Sequence, residues 1–394
     1  MADVPRILGF CDERFAGVRA ALEGNFREHD ELGAAVAVSV GGTPVVDIWA
    51  GWADEARTRL WERDTLVDVF SVGKSMAALS VLMLAERGEV DLDARVAAYW
   101  PEFAAAGKGD VTVRMLLAHR AGVPAIRRPL PDAAIFDWEV MTDSLASEEP
   151  WWPPGSTHGY HVNTFGFLAG EIVSRVSGRS LGAFFRSEVA TPLDADFHFG
   201  FGAEHDHRVA EYSFAGQGER FAAEGAEEEQ RIAADPDRRL LLNQAYLNPP
   251  GLSGIGTVNT RTWRAAEIPS ANGHATARGV ARIFAALACE GAVGEVRILR
   301  PETIDEAVVE ASSGPDFVLG RPSRFGLGFQ LTQPERPLGP NPHSFGHFGA
   351  GGSLGFADPD ERLAFAYVVN RSGPRWQNPR NRALIDAVYE ALAT

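Results

Sequence analysis

The sequence predicts an α+β fold in which one antiparallel sheet, flanked by helices, is built from both ends of the chain around an inserted, mainly helical lobe. Runs rich in β-formers occur near both termini, while helical patterns with many Pro and Gly residues fill the middle. At 394 residues the chain is longer than one ordinary domain. We expect a single domain over residues 1–394, with a sheet lobe of approximately 1–65 plus 276–394 and a helical lobe of approximately 66–275.

The first third of the chain supplies a hairpin and a buried helix. Residues 12–28 have the spacing of an amphipathic helix, and two β-rich runs follow around Gly41-Gly42, which is a hairpin signal. The stretch from residue 71 to residue 87 is apolar on nearly every side and ends at Gly88. A helix without a polar face is expected to lie in the interior.

The rest of the chain continues with helices and returns to strands. The middle contains two helical patterns and a charged excursion, at 111–124, 163–178 and 216–239. The end contains three predicted strands and a closing helix, at 325–332, 344–358, 362–370 and 378–393.

Composition excludes several classes of partner. The net charge of −16 argues against nucleic acid and against an anionic membrane surface. Cys11 and Cys289 are expected to be small buried side chains rather than a disulfide. The N-terminus lacks a basic segment followed by an apolar core, and no apolar stretch is long enough to span a bilayer. We therefore expect a cytoplasmic protein without a cofactor, and the sequence leaves its oligomeric state open.

Two serines compete as a nucleophile, and Ser353 is the weaker candidate. Residues 351–355 match G-x-S-x-G, a pattern that requires a helix after the serine and a histidine further along the chain. A strand, a turn and another strand follow instead, and the last of the ten histidines is His347. We interpret Ser353 as a small residue in a glycine-rich strand.

Ser71 is the stronger candidate because it opens a helix and Lys74 follows one turn later in an S-x-x-K pattern. That spacing places both side chains on one face, so a lysine with a lowered pKa can serve as the base. The N–H groups at the helix start favour a developing oxyanion. Tyr160 follows a Pro-Gly turn, and we expect a neighbouring cationic lysine to depress its pKa, which makes it a proton relay.

Three motifs in order give a family resemblance. The motifs are S-x-x-K at 71–74, Tyr160, and His347-Phe348-Gly349 on a C-terminal strand. Over roughly residues 30–390 the chain resembles the serine β-lactamase-like family, which includes class C β-lactamases, D-Ala-D-Ala carboxypeptidases and family VIII carboxylesterases. The resemblance implies a site in the crevice between the sheet and the helical lobe.

The same resemblance assigns roles to individual residues. It implies that Ser71 is the nucleophile and that Lys74 and Tyr160 form the base and proton-relay pair. The backbone N–H groups of Ser71 and Ala350 would form the oxyanion hole. The residues expected to bind the substrate are His347, Phe348, Gly349, Trp152 and Phe70.

Two departures from the family pattern point to the substrate. Class C β-lactamases have Tyr-x-Asn where residues 160–162 read Tyr-His-Val, and Asn163, one position late, is expected to turn away. Their Lys-Thr-Gly is replaced by His-Phe-Gly at 347–349. The missing Asn would hydrogen-bond an amide of the substrate, and the missing Lys and Thr would bind its carboxylate. Their absence favours an uncharged ester as the substrate. The chain looks most like a family VIII carboxylesterase.

We therefore expect a serine carboxylesterase that hydrolyses small uncharged carboxylic esters through an acyl-enzyme on Ser71, with weak β-lactam hydrolysis beside it. Three alternatives stay open. The first is a β-lactamase or D-Ala-D-Ala peptidase-like enzyme on the same scaffold. The second is a zinc hydrolase using His205 and His207, although no further metal ligands cluster there. The third is a ligand-binding homologue without catalysis.

Overall fold

The computed structural model describes residues 4–214 and 235–394. Its strands in chain order are β1 (Leu8–Cys11), β2 (Gly33–Val40), β3 (Thr43–Gly51), β4 (Val67–Asp68), β5 (Phe197–His198), β6 (His274–Ala275), β7 (Ala292–Val293), β8 (Val296–Arg297), β9 (Ser312–Pro315), β10 (Pro322–Phe325), β11 (Gln330–Leu331), β12 (Phe345–Phe348), β13 (Leu354–Asp358) and β14 (Leu363–Val369).

The α-helices of the described residues are α1 (Ala16–Glu28), α2 (Val72–Glu86), α3 (Val113–Leu117), α4 (Trp138–Ser147), α5 (Thr164–Ser177), α6 (Leu181–Phe185), α7 (Pro236–Leu247), α8 (Arg261–Ala265), α9 (Ala277–Ala288), α10 (Pro301–Ala307) and α11 (Pro379–Leu392).

One antiparallel sheet of nine strands contains both ends of the chain. Its order is β1-β3-β2-β14-β13-β12-β11-β10-β9. The two ends meet where β2 pairs with β14, from Val40 opposite Leu363 to Ala34 opposite Val369. The predicted fold class is therefore confirmed: an antiparallel sheet joins the termini, and helices α2 to α10 come between its two halves in sequence.

Side chains alternate between the two faces of the sheet and form two separate cores. On β2, Ala35 and Ala37 belong to the core shared with α2 and α9, whereas Val36 and Val38 belong to the core under α1 and α11. Small residues on the first face let α9 lie close to β2, β13 and β14. The predicted interior helix is α2, which packs against α5, α6 and β12.

Most predicted elements appear within one to four residues of their expected bounds, and three run differently. The helix predicted at 111–124 is the shorter α3, which ends at Leu117. The segment 344–358 is a hairpin of β12 and β13 with a tight turn between them, and 325–332 bends between β10 and β11. Of the predicted excursion at 216–239, residues 216–234 lie outside the described residues. A small sheet of β4, β6 and β5 was not predicted, because two-residue strands have no detectable period.

A buried ion pair ties the closing helix to the N-terminal half. Arg380 Nη1 lies 2.8 Å from Glu31 Oε1, and both side chains are almost fully buried. The Tyr367 hydroxyl on β14 donates to the other Glu31 oxygen. Burial raises the pKa of Glu31, while the Arg380 charge lowers it. Loss of one partner would leave an uncompensated charge in the core.

We predict that Arg380→Met lowers the free energy of unfolding by about 3–5 kcal/mol, because Glu31 is left buried and unpaired. Urea-induced unfolding measures this change. The matched control is Arg382→Met, which breaks the exposed Arg382–Asp386 pair on the same helix and should cost about 0–1 kcal/mol. Equal losses in the two variants would contradict the importance of the buried pair.

Candidate active site

The backbone before Ser71 is bent by a buried carboxylate. Ser71 follows β4 and occupies the N-cap position of α2 without a side-chain capping bond, and the preceding Phe70 has a left-handed φ of 47°. Asp68 holds this bend: its Oδ1 accepts the Phe70 N–H at 2.8 Å and its Oδ2 accepts the Trp263 Nε1–H at 2.8 Å. A non-glycine residue in this region costs on the order of 1–3 kcal/mol, so the bend needs such support.

Lys74 is the nearest functional group to the Ser71 hydroxyl. Its Nζ lies 2.9 Å from Ser71 Oγ and 3.1 Å from the carbonyl oxygen of Ser270. The side chain is fully buried, and no carboxylate among the described residues pairs with it. Burial therefore lowers the pKa of Lys74 well below its ordinary value. The amine is poised to be neutral and to accept the serine proton.

Tyr160 stands opposite Lys74 as an uncharged phenol. The Lys74 Nζ lies 4.8 Å from the centroid of the Tyr160 ring, and the buried Tyr160 hydroxyl has no hydrogen-bond partner in the described part of the chain. Burial raises the pKa of Tyr160 well above its ordinary value, although the nearby Ser71 hydroxyl lowers it. The depressed pKa expected from the sequence is therefore wrong. Tyr160 keeps its proton and can donate it.

A second buried carboxylate anchors the backbone of Tyr160. The Tyr160 N–H donates to both oxygens of Asp316, at 3.0 and 3.1 Å. The other donors to Asp316 are the Val318 N–H, the Leu319 N–H and the Ser323 hydroxyl. Asp316 thus fixes Tyr160 to the loop between β9 and β10.

Ser71 and Ala350 line the same small cavity, and each has a backbone N–H without an acceptor among the described residues. Ala350 begins a single turn after β12, and neither its N–H nor that of Ser71 donates a hydrogen bond to another described residue. A Cβ atom on Gly349 would lie 2.4 Å from the carbonyl oxygen of Val69, so glycine is required for this close approach. Two such donors on residues of one cavity are what an oxyanion hole requires.

A small cavity of about 70 Å³ opens over these groups. Drug-sized ligands occupy pockets of roughly 300–1,000 Å³, so this cavity accepts only a small group. It is lined by Phe70, Ser71, Tyr160, Val162, Asn163, Tyr246, Ser253, Ser270, Ala271, Ala350 and Trp376. None of these described lining residues is charged. Asn163 was expected to turn away, but its amide lines the cavity and donates to the Ala245 carbonyl oxygen and Ser253 Oγ.

The expected substrate-binding residues separate into two groups. Phe70 lines the cavity, and Gly349 brings the opposite wall close. His347 is fully buried behind the site: its Nδ1–H donates to the Phe348 carbonyl oxygen at 2.7 Å, and burial lowers its pKa to about 3. His347 is therefore neutral at physiological pH, and its Nε2 has no partner within the described ranges.

The other two residues of that expectation lie away from the cavity. Successive side chains of a strand point to opposite faces, so Phe348 packs in the core under α1 and α11 while His347 faces the Ser71 side. Trp152 is buried against His161 and Phe317. The expectation that Phe348 and Trp152 contact the substrate disagrees with these positions.

The rival sites have little to support them. Ser353 is buried, and its Oγ accepts the Val369 N–H at 3.3 Å. His205 approaches Glu204 only to 3.9 Å, and residues 4–214 and 235–394 hold no group of three side chains that could bind a metal.

Cys11 and Cys289 are free thiols. In the part of the chain that the structure describes, no helix has the length and apolar character needed to cross a bilayer.

Sequence reasoning missed Asp68, Asp316 and Ser270, whose carbonyl oxygen contacts Lys74. Asp68 carried a readable signal, because it is an acid inside the apolar run Leu66 to Phe70. Asp316 and Ser270 lie in loops far from the motifs and are brought in only by the tertiary fold.

Comparison with known proteins identifies the family of the chain. The family model described as beta-lactamase matches residues 18–390. The chain belongs to the beta-lactamase family. Its membership confirms the resemblance drawn from the three motifs, and it makes the protein a hydrolase of the esterase/beta-lactamase-like kind.

Members of the family with similar sequences include both esterases and penicillin-binding homologues. "Esterase/beta-lactamase LipL" of Mycobacterium tuberculosis is 36% identical over 377 residues, which cover 93% of this chain and 83% of LipL. The crystal structure of a family VIII carboxylesterase is similar at 41% identity and a TM-score of 0.89, covering 98% of this chain and 100% of that one. A penicillin-binding protein homologue from Caulobacter crescentus has 37% identity and a TM-score of 0.88, with coverage of 98% and 100%.

We predict that Asp68→Asn lowers the free energy of unfolding by about 1–3 kcal/mol, because one amide cannot accept both the Phe70 and the Trp263 N–H groups. Urea-induced unfolding of this variant, of Trp263→Phe and of the double variant should give a coupling energy of at least about 0.5 kcal/mol. The exposed Asp64→Asn variant, within about 0.5 kcal/mol of the wild type, is the control. Simple additivity would contradict the assigned contact.

Proposed function

We propose that the protein is a carboxylic ester hydrolase that forms an acyl-enzyme on Ser71. The observation that carries this proposal is the fully buried Lys74 amine, 2.9 Å from Ser71 Oγ and without a carboxylate partner among the described residues. A neutral amine at hydrogen-bond distance is a competent base for a serine hydroxyl. The esterase names of similar family members support the same reaction class.

In the first step Ser71 Oγ attacks the ester carbonyl carbon, and the hydroxyl proton passes to Lys74 Nζ. The carbonyl oxygen becomes an oxyanion held by the backbone N–H groups of Ser71 and Ala350. Loss of one such donor typically costs on the order of 10²–10³ in rate, so these two groups carry a large part of the catalysis.

Collapse of this intermediate breaks the bond to the alcohol oxygen. Tyr160 is a protonated phenol because burial raises its pKa, so it can give its proton to the departing alkoxide. The Lys74 ammonium returns a proton to Tyr160, which restores both groups. A water molecule then attacks the acyl-enzyme with Lys74 as the base, and release of the carboxylic acid regenerates the Ser71 hydroxyl.

The substrate class follows from the cavity. A volume of about 70 Å³, with no charged side chain among the described residues that line it, suits a small uncharged acyl or alcohol group. In class C β-lactamases a lysine occupies the position of His347, and His347 is neutral and buried here. We therefore propose small uncharged carboxylic esters as substrates, with slower hydrolysis of β-lactams, whose carboxylate lacks that lysine.

We predict that a fluorophosphonate probe labels the wild-type protein once, on Ser71, and that Ser71→Ala abolishes labelling and p-nitrophenyl butyrate hydrolysis. Peptide mass spectrometry locates the adduct. The rate loss should be on the order of 10³-fold or more, because the nucleophile is removed.

Ser353→Ala is the matched control, since Ser353 satisfies G-x-S-x-G but lies buried against β14. This variant should keep its label on Ser71. An adduct on Ser353, or full hydrolysis by Ser71→Ala, would overturn the proposal. Faster turnover of nitrocefin than of p-nitrophenyl butyrate would favour the β-lactamase alternative. Absence of both labelling and hydrolysis would favour a binding protein.

A further inference from the structure

Arg321 stands apart from the other partly buried arginines. Within residues 4–214 and 235–394 it is the only half-buried arginine that makes neither a hydrogen bond from its guanidinium nor an ion pair. The neighbouring carboxylate, Asp316, is already occupied by N–H and O–H donors from its own loop and from Tyr160. A guanidinium with five donors is thus left without an acceptor in the described chain.

The position of Arg321 links it to the cavity. Its guanidinium carbon lies 4.8 Å from the centroid of the Trp376 ring, and Trp376 lines the cavity beside Tyr160, with ring centroids 5.3 Å apart. The Arg321 charge also acts to lower the pKa of Tyr160 and of Tyr246, which are both cavity residues. A positive charge therefore stands at the rim, one aromatic ring away from the reacting groups.

The rim position is held by the backbone. The Asp316 N–H donates to the Arg321 carbonyl oxygen at 3.2 Å, and the Asp316 side chain accepts the Tyr160 N–H. The loop between β9 and β10 therefore positions both Tyr160, the proposed proton donor, and the Arg321 guanidinium. Arg336 and Arg375 add positive charge nearby, in a chain whose net charge is −16.

We propose that Arg321, stacked on Trp376, binds a carboxylate at the remote end of the ester substrate. This inference revises the uncharged substrate class proposed above: only the part of the ester inside the cavity is uncharged. The preferred substrates are then half-esters of short dicarboxylic acids, with the reacting carbonyl at Ser71 and the free carboxylate outside the cavity. A planar guanidinium held on an aromatic face presents its N–H groups to a carboxylate as a fork. This inference rests on the proposed ester hydrolysis and extends it by one anionic contact.

The test compares mono-p-nitrophenyl glutarate with p-nitrophenyl pentanoate, which has a similar acyl length and no charge. The wild type should show the higher kcat/KM with the half-ester. In Arg321→Gln the ratio of the two kcat/KM values should fall roughly ten- to hundredfold, the usual worth of a charged hydrogen bond. The ratio for Arg321→Lys should lie between that of the wild type and that of Arg321→Gln. The control is Arg324→Gln on β10, whose guanidinium is paired with Glu310, and it should keep the wild-type ratio.

Two outcomes would overturn the inference while leaving ester hydrolysis intact: no preference for the half-ester in the wild type, or an equal loss of both activities in Arg321→Gln. If neither ester is hydrolysed, the proposed function fails, and binding still tests the inference. Glutarate should then change the tryptophan fluorescence of the wild type, and this response should disappear in Arg321→Gln with unchanged circular dichroism. A glutarate response that survives the substitution would contradict the site.

Discussion

The rest of the site depends on a lysine amine that is buried next to a serine without a compensating carboxylate. A charged ammonium in that position would lose its hydration, and the only oxygen acceptors within hydrogen-bond distance of Lys74 in the described structure are the Ser71 hydroxyl and the Ser270 carbonyl. Burial therefore favours the neutral amine. The same burial keeps the Tyr160 phenol protonated. One physical cause thus produces a base and an acid on either side of a nucleophile.

Close packing around α2 maintains this burial. A Cβ atom on Gly73 would lie 2.3 Å from the Pro269 carbonyl oxygen, and one on Gly328 would lie 2.1 Å from Ala78 Cβ. These two glycines let the loop before β6 and the turn before β11 approach the helix. Backbone of these two segments thus packs directly against α2, the helix that carries Lys74.

The sequence predicted the features that have a local signature. The S-x-x-K spacing, the apolar helix α2, the hairpin at Gly41-Gly42 and the meeting of both termini in one sheet all follow from residue order or periodicity. The site residues that escaped prediction lack such a signature. Asp316 lies 156 positions from the Tyr160 N–H that it accepts, and Ser270 lies 196 positions from Lys74.

The direction of the Tyr160 pKa shift also escaped prediction, because it depends on how much solvent reaches the phenol rather than on which residues adjoin it. Strand alternation predicts that His347 and Phe348 point to opposite faces of the sheet. The motif comparison ignored this alternation and assigned both side chains to the substrate site. The cavity itself is assembled from at least five separate segments, so its size and its lack of charge could be seen only in the folded chain.

The central claim, that Lys74 is neutral when the enzyme works, can be measured directly because the chain has only two lysines, Lys74 and Lys108. Protein labelled with ¹³C at lysine Cε should give two resonances, and Lys108→Arg assigns them. Burial also lowers the pKa of Lys108, so this assignment is essential. We expect the Lys74 resonance to titrate with a midpoint well below the ordinary lysine pKa of about 10.4, and to have the shift of a neutral amine at the pH of activity. A Lys74 midpoint at about 10.4 or above would contradict the account.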